Sequence, residues 1–92
     1  MRESTLENKI KLYVEQLGGK AYKWTSPGTR GVPDRIVILP KGRIVFVEVK
    51  RPGLQDGLSI RQKKIRATLE SLGCKVWRIS DFEEFKERIH GI

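Results

Sequence analysis

The stretch Gly31-Val32-Pro33-Asp34-Arg35-Ile36-Val37-Ile38-Leu39-Pro40-Lys41-Gly42-Arg43-Ile44-Val45-Phe46-Val47-Glu48-Val49-Lys50 reads as two apolar, β-branched strands joined by a tight turn. Pro40 suits the first central position of a type I turn, because its ring fixes φ at about −65°. Gly42 suits the left-handed residue that closes a three-residue hairpin loop with a bulge. A loop of Pro40-Lys41-Gly42 pairs Leu39 with Arg43, and counting back along both strands pairs Asp34 with Glu48. Paired residues share a face, with Cβ atoms about 5 Å apart. Lys50, two residues beyond Glu48, lies on that face too. A two-residue loop would slip the register by one and put the two acids on opposite faces.

Asp34, Glu48 and Lys50 stand where a buried strand is expected to be apolar. Two carboxylates held that close repel each other, which raises a pKa or calls for a cation between them. Hard oxygen donors of this kind suit a divalent ion such as Mg²⁺. A neighbouring lysine can orient a water or stabilise a developing anion. The plain alternative is a salt-bridge cluster at a sheet end, since a Glu-x-Lys pair alone is common in strands.

Pro33-Asp34 followed by Glu48-Val49-Lys50 resembles the signature of the PD-(D/E)XK nuclease superfamily. The fuller wording is closer still. Glu7 in a first helix, Gly31-Val32-Pro33-Asp34, Phe46-Val47-Glu48-Val49-Lys50 and Gln62 opening the next helix are similar to the VRR-NUC family in its compact stand-alone form. The resemblance runs from Glu3 to Ser80 and implies a Mg²⁺- or Mn²⁺-dependent phosphodiesterase acting on DNA. It implies that Asp34, Glu48 and the main-chain carbonyl of Val49 hold the metal, and that Glu7 completes the site. It gives Lys50 the attacking water and puts Gln62 next to the site, orienting Lys50 or a water. By the same resemblance, compact relatives work as homodimers on branched DNA such as a four-way Holliday junction.

The chain has 92 residues, which means a single domain covering 1–92. A domain this small buries only about 60–65% of its unfolded surface, so oligomerisation would help it. Nineteen Lys and Arg against eleven Asp and Glu give +8, a balance that favours a polyanionic partner. Cys74 is the only cysteine, which excludes an intrachain disulfide and a cysteine-based zinc cluster. His90 is the only histidine and lies near the C-terminus, which argues against a histidine base. With no apolar run approaching the roughly 20 residues of a membrane span, and no signal-peptide pattern, an intracellular location is expected.

Helical spacing of Leu6, Ile10, Val14 and Leu17 predicts a helix over Ser4–Leu17, with Tyr13 widening its stripe. Ser4 and Glu7 fit a capping box there, which is the structural alternative for Glu7. Lys20–Trp24 reads as a strand, with Tyr22 and Trp24 on one face. The turn-rich loop that follows delivers the chain to Asp34, and Arg30 in it suits a phosphate contact. Apolar residues on both faces of the hairpin predict a sheet covered on both sides. A loop over Arg51–Gly57 leads to a helix over Ser59–Leu72, with Ile65, Leu69 and Leu72 as its buried stripe. Ser59 and Gln62 form a second possible capping box. Arg51, Arg61, Lys63 and Lys64 are candidate nucleic-acid contacts, or else a solvated face. Cys74–Ile79 reads as the last strand, parallel to its neighbour across a right-handed crossover. Ser80 or Asp81 caps a short final helix packed by Phe82, Phe85 and Ile89. The expected fold is α/β, αβββαβα, a restriction-endonuclease-like core with a mixed four-stranded sheet flanked by helices.

Three functions remain in view. The first is a metal-dependent DNA endonuclease. The second is a basic module that grips DNA without cutting, although clustered acids repel a phosphate backbone unless a metal intervenes. The third keeps the chemistry but takes flaps, ends or single strands.

Overall fold

The turn at Pro40–Gly42 sets the strand register, and the computed structural model, which describes residues 2–53 and 57–92, has the expected pairing. Helix α1 (Glu3–Gln16) leads to β1 (Lys20–Lys23), β2 (Arg35–Leu39) and β3 (Arg43–Val49). Helix α2 (Ile60–Ser71), β4 (Val76–Ile79) and α3 (Phe82–Ile89) complete the αβββαβα order. The sheet order is β1-β2-β3-β4. The β1–β2 and β2–β3 pairs are antiparallel, and β3–β4 is parallel across α2. Leu54, Gln55 and Asp56, in the loop expected over Arg51–Gly57, lie outside the described residues. Among those described, no helix is long and apolar enough to cross a membrane.

Leu39 pairs with Arg43 and Ile36 with Phe46, as a three-residue loop requires. The loop itself differs from the expected type I turn. Lys41 has φ 70° and Gly42 φ 71°, so two residues in succession are left-handed. The register is unaffected, because it depends on loop length and not on which residue is left-handed.

One sheet face is the core. Leu6, Ile10 and Val14 of α1 and Phe85 and Ile89 of α3 pack with Val37, Leu39, Val45, Val47 and Val49. All of these are essentially fully buried. Each contributes roughly 1.5–3 kcal/mol by leaving water. Asp81 caps α3 by accepting from the Glu84 N–H at 3.1 Å.

The other face departs from expectation. Ile36, Ile38 and Phe46 are half-buried and Ile44 is exposed, so this face is only partly covered. Within the predicted α2 stripe, Ile65 and Leu69 are half-buried and Leu72 is exposed. The reason is placement: α2 contacts the sheet chiefly along β4 and leaves the β1–β2 half open. The Ser4–Glu7 capping box, the structural alternative for Glu7, is absent. Arg2 is the N-cap of α1 and makes no side-chain cap bond. The Glu7 carboxylate accepts instead from Arg35 Nε at 2.7 Å, a charge-assisted bond in a half-buried place.

Candidate active site

Asp34 ends the loop that precedes β2, and Glu48 lies near the end of β3. Continuing the β2–β3 register by one residue places them opposite each other. The Val49 N–H donates to Asp34 Oδ2 at 2.8 Å, tying the two strands together at that level. Glu48 is 5% exposed, so its carboxylate is almost removed from water. Lys50 Nζ lies 3.6 Å from Glu48 Oε1.

Gln62 reaches the same oxygen from α2, donating Nε2–H to Glu48 Oε1 at 2.8 Å. The capping-box reading of Gln62 holds, and the same side chain reaches the acid pair. Ser59 Oγ accepts from the Gln62 N–H at 3.1 Å, while Gln62 Oε1 accepts from the Ser59 N–H at 3.0 Å. The capping box immobilises the amide that meets Glu48. Gln62 was expected to orient Lys50 or a water; its bond is to Glu48, whose Oε1 it shares with Lys50.

Gly31 makes that docking possible. Its φ is +91°, and a Cβ there would lie 2.7 Å from the Arg61 carbonyl carbon and 2.9 Å from the Gln62 nitrogen. Only a residue without a side chain lets the loop touch the first turn of α2.

Loss of solvent is the main reason the Glu48 carboxyl is pushed up to about 8; the Asp34 charge adds to the rise and Lys50 opposes it. Asp34 is also raised, first by burial and then by the charge of Glu7, against the Val49 N–H. Burial and the neighbouring charge thus favour the protonated form of Glu48 beside Asp34. A divalent cation suits the position of that proton. Two carboxylates beside the main chain of Val49 form a hard oxygen set of the kind Mg²⁺ or Mn²⁺ prefers. Among the described residues, no group of three acidic, histidine or cysteine side chains forms a metal site. Glu7 stands slightly apart, 2.7 Å from Arg35 and 3.8 Å from Lys23, yet close enough for its charge to raise Asp34.

Three participants were not singled out from the sequence. Arg35 follows Asp34 and points to the opposite face, toward α1, where it donates to Glu7 and to the Ala21 carbonyl. Strand alternation was the available signal. Arg78 pairs with Glu48 in the parallel register, so it shares the acid face. Trp24 donates its N–H to the Asp34 carbonyl at 3.1 Å, which extends the β1–β2 register and puts Trp24 opposite Asp34. The row across the sheet is therefore Trp24, Asp34, Glu48, Arg78. Of the predicted nucleic-acid contacts, Arg30, Arg51, Arg61, Lys63 and Lys64 are all exposed. Arg61, Lys63 and Lys64 lie in α2 around Gln62, and Arg30 and Arg51 flank the site in the chain.

No protein-family model matches the chain. It is 55% identical over 76 residues to "Putative nuclease p44" of Acyrthosiphon pisum secondary endosymbiont phage 1, covering 83% of this chain and 80% of that protein. A solved structure described as a VRR_NUC domain superposes with a TM-score of 0.86 at 30% identity, over 96% of this chain and 94% of the other.

Proposed function

The chain belongs to the VRR-NUC family, and from that premise we propose that Asp34, Glu48 and Lys50 are the centre of a divalent-metal-dependent DNA endonuclease. The observation that carries this reading is the buried acid pair, opposed across β2 and β3, with Lys50 and Gln62 converging on Glu48. A structural ion pair has no need of a second acid, Asp34, set opposite a buried Glu48.

The pair, with the Val49 carbonyl, would hold Mg²⁺ or Mn²⁺, which supplies Lewis-acid polarisation of the scissile phosphate and a more acidic attacking water. Asp34 is held in place by the Val49 N–H. Gln62 fixes the rotamer of Glu48 from α2. Lys50 presents a compact positive charge to the water and to the oxyanion that develops on phosphorus. Glu7, oriented by Arg35, is the remaining acid within reach of Asp34. It serves a second cation or an incoming water.

The acting unit in this reading is a homodimer on branched DNA. Each chain carries one set of Asp34, Glu48 and Lys50, hence one cut, and a symmetric pair supplies two.

The test is nicking of supercoiled plasmid with Mg²⁺ or Mn²⁺ and with EDTA. Lys50→Ala and Asp34→Asn are expected to lower cleavage by roughly 10²-fold or more, the usual loss when a charge-stabilising group is removed. DNA binding persists, because surface cations supply most of the affinity. Glu7→Gln is milder. Lys50→Ala protein that cuts at the parental rate in matched metal overturns the mechanism.

A further inference from the structure

The partly open sheet face continues from the acid pair onto the edge strand. Lys20, Tyr22 and Trp24 of the β1 segment pair with Ile38, Ile36 and Asp34, so all three stand on the face that bears Asp34 and Glu48. Trp24 is half-buried, its ring 5.1 Å from that of Phe46 and tilted by 40°, and so is held in a fixed orientation. Tyr22, about 7 Å further along the strand, is 56% exposed. β1 is the edge of the sheet, and α2 packs chiefly along β4 at its other side, away from this shelf.

We propose that the Tyr22–Trp24 shelf takes an unstacked base of the DNA strand being cut, next to the scissile phosphate. This rests on the nuclease reading above and deepens it. A phosphate between Asp34 and Glu48 leaves the adjoining nucleotides two ways out. Toward α2 they meet Arg61, Lys63 and Lys64, which suit the backbone. Toward β1 they meet aromatic faces, which suit bases. A base paired within duplex shows only its edges, and its π-face becomes available when it leaves the stack. The shelf therefore selects DNA with unpaired nucleotides at the cleavage position, as at a branch point or flap.

Charge argues against a second copy of this chain as the occupant. Lys20 stands on the shelf's own face and is exposed, so two such surfaces would set like charges face to face. A polyanion is attracted by the same arrangement.

The experiment uses oligonucleotide branches with 2-aminopurine at the unpaired nucleotide beside the cut, bound with Ca²⁺ in place of Mg²⁺. Wild-type protein is expected to change the fluorescence on binding. Tyr22→Ala is expected to lose that change and to bind the branch about 10-fold more weakly, the order of one lost base stack. Tyr22→Phe keeps both, because the ring is retained. Affinity for fully paired duplex falls much less, so the ratio of the two affinities is the readout. An unchanged ratio and unchanged fluorescence in Tyr22→Ala overturn the shelf. So does a shift of Tyr22→Ala from dimer to monomer in sedimentation, which makes the face a contact between copies. Failure of wild-type protein to cut any of these DNAs with Mg²⁺ or Mn²⁺ is a separate result, and it removes the nuclease reading itself.

Discussion

Glu48 sets the cost of the proposed site, because a bound cation would need it charged and it is almost dry without one. Its carboxyl sits at about 8 in the metal-free protein, against 4.5 for the free side chain. A raised acid binds more protons folded than unfolded. Its contribution to metal-free stability is therefore full below pH 4.5 and is lost as pH rises toward about 8. Cation binding must expel that proton. Apparent Mn²⁺ affinity is thus expected to climb with pH through this window and to level off above it. Calorimetric titration without DNA, in buffers of differing ionisation enthalpy, counts the protons released. Release should fade above about pH 8 and vanish in Glu48→Gln; a pH-independent isotherm contradicts the raised Glu48 carboxyl. Asp34, Glu48 and Lys50 were legible as a group from the chain, because a three-residue loop dictates which residues oppose each other. Glu7 was half legible. Its spacing from Ser4 suited a cap, but Arg35, on the far side of the strand from Asp34, offers a stronger partner.

At the scale of elements, the decisive contact is between the Gly31 loop and the first turn of α2. The conflict that a Cβ would create is with backbone, which cannot rotate away as a side chain can. Gly31→Ala also forces an L-residue to φ +91°, a conformation costing on the order of 1–3 kcal/mol. The variant is expected to melt several degrees lower, since 1 kcal/mol is roughly 4–8 °C in a domain this size. It is also expected to cut more slowly, because Gln62 is drawn off Glu48. Gly28→Ala is the control, with nothing within 4 Å of its added carbon. Thermal unfolding and plasmid nicking, run side by side, check both, and a Gly31→Ala protein with parental melting and rate refutes the coupling. The sequence showed Gly31 only as part of a motif. Its close approach joins residues separated by two strands and a loop, and no local pattern encodes that. The α2 stripe failed for a related reason. Ile65, Leu69 and Leu72 have helical spacing, but how much of that stripe is buried depends on where the helix lands, and α2 lands along β4. The β1 register was hidden as well, since the loop over residues 25–33 is too long to count across. Trp24 could be read as a strand residue but not as the neighbour of Asp34.

For the whole molecule, charge and uncovered surface point the same way. A net charge of +8 is large for 92 residues, and a symmetric pair doubles it to +16. Leu12, Ile44, Ile60 and Leu72 are apolar and about half or more exposed, which leaves surface for a second copy. A single chain of 33 × 30 × 24 Å carries, among the described residues, one such acid pair. Processing a four-way junction takes two cuts in strands related by two-fold symmetry, and a closed dimer presents two sites in that relation. The protein is expected to sediment as a dimer at micromolar concentration and to cut an immobile junction at symmetric positions. Its affinity should fall steeply with salt, by a logarithmic slope of about −0.9 for each phosphate neutralised. Replacing Lys63 and Lys64 with Gln should reduce that slope while leaving the cut positions unchanged, because phosphate contacts position the backbone and, in the proposed mechanism, the acid pairs choose the bond. A monomer in sedimentation, or a dimer that cuts linear duplex as readily as the junction, leaves a general endonuclease whose symmetry plays no part in its choice of DNA.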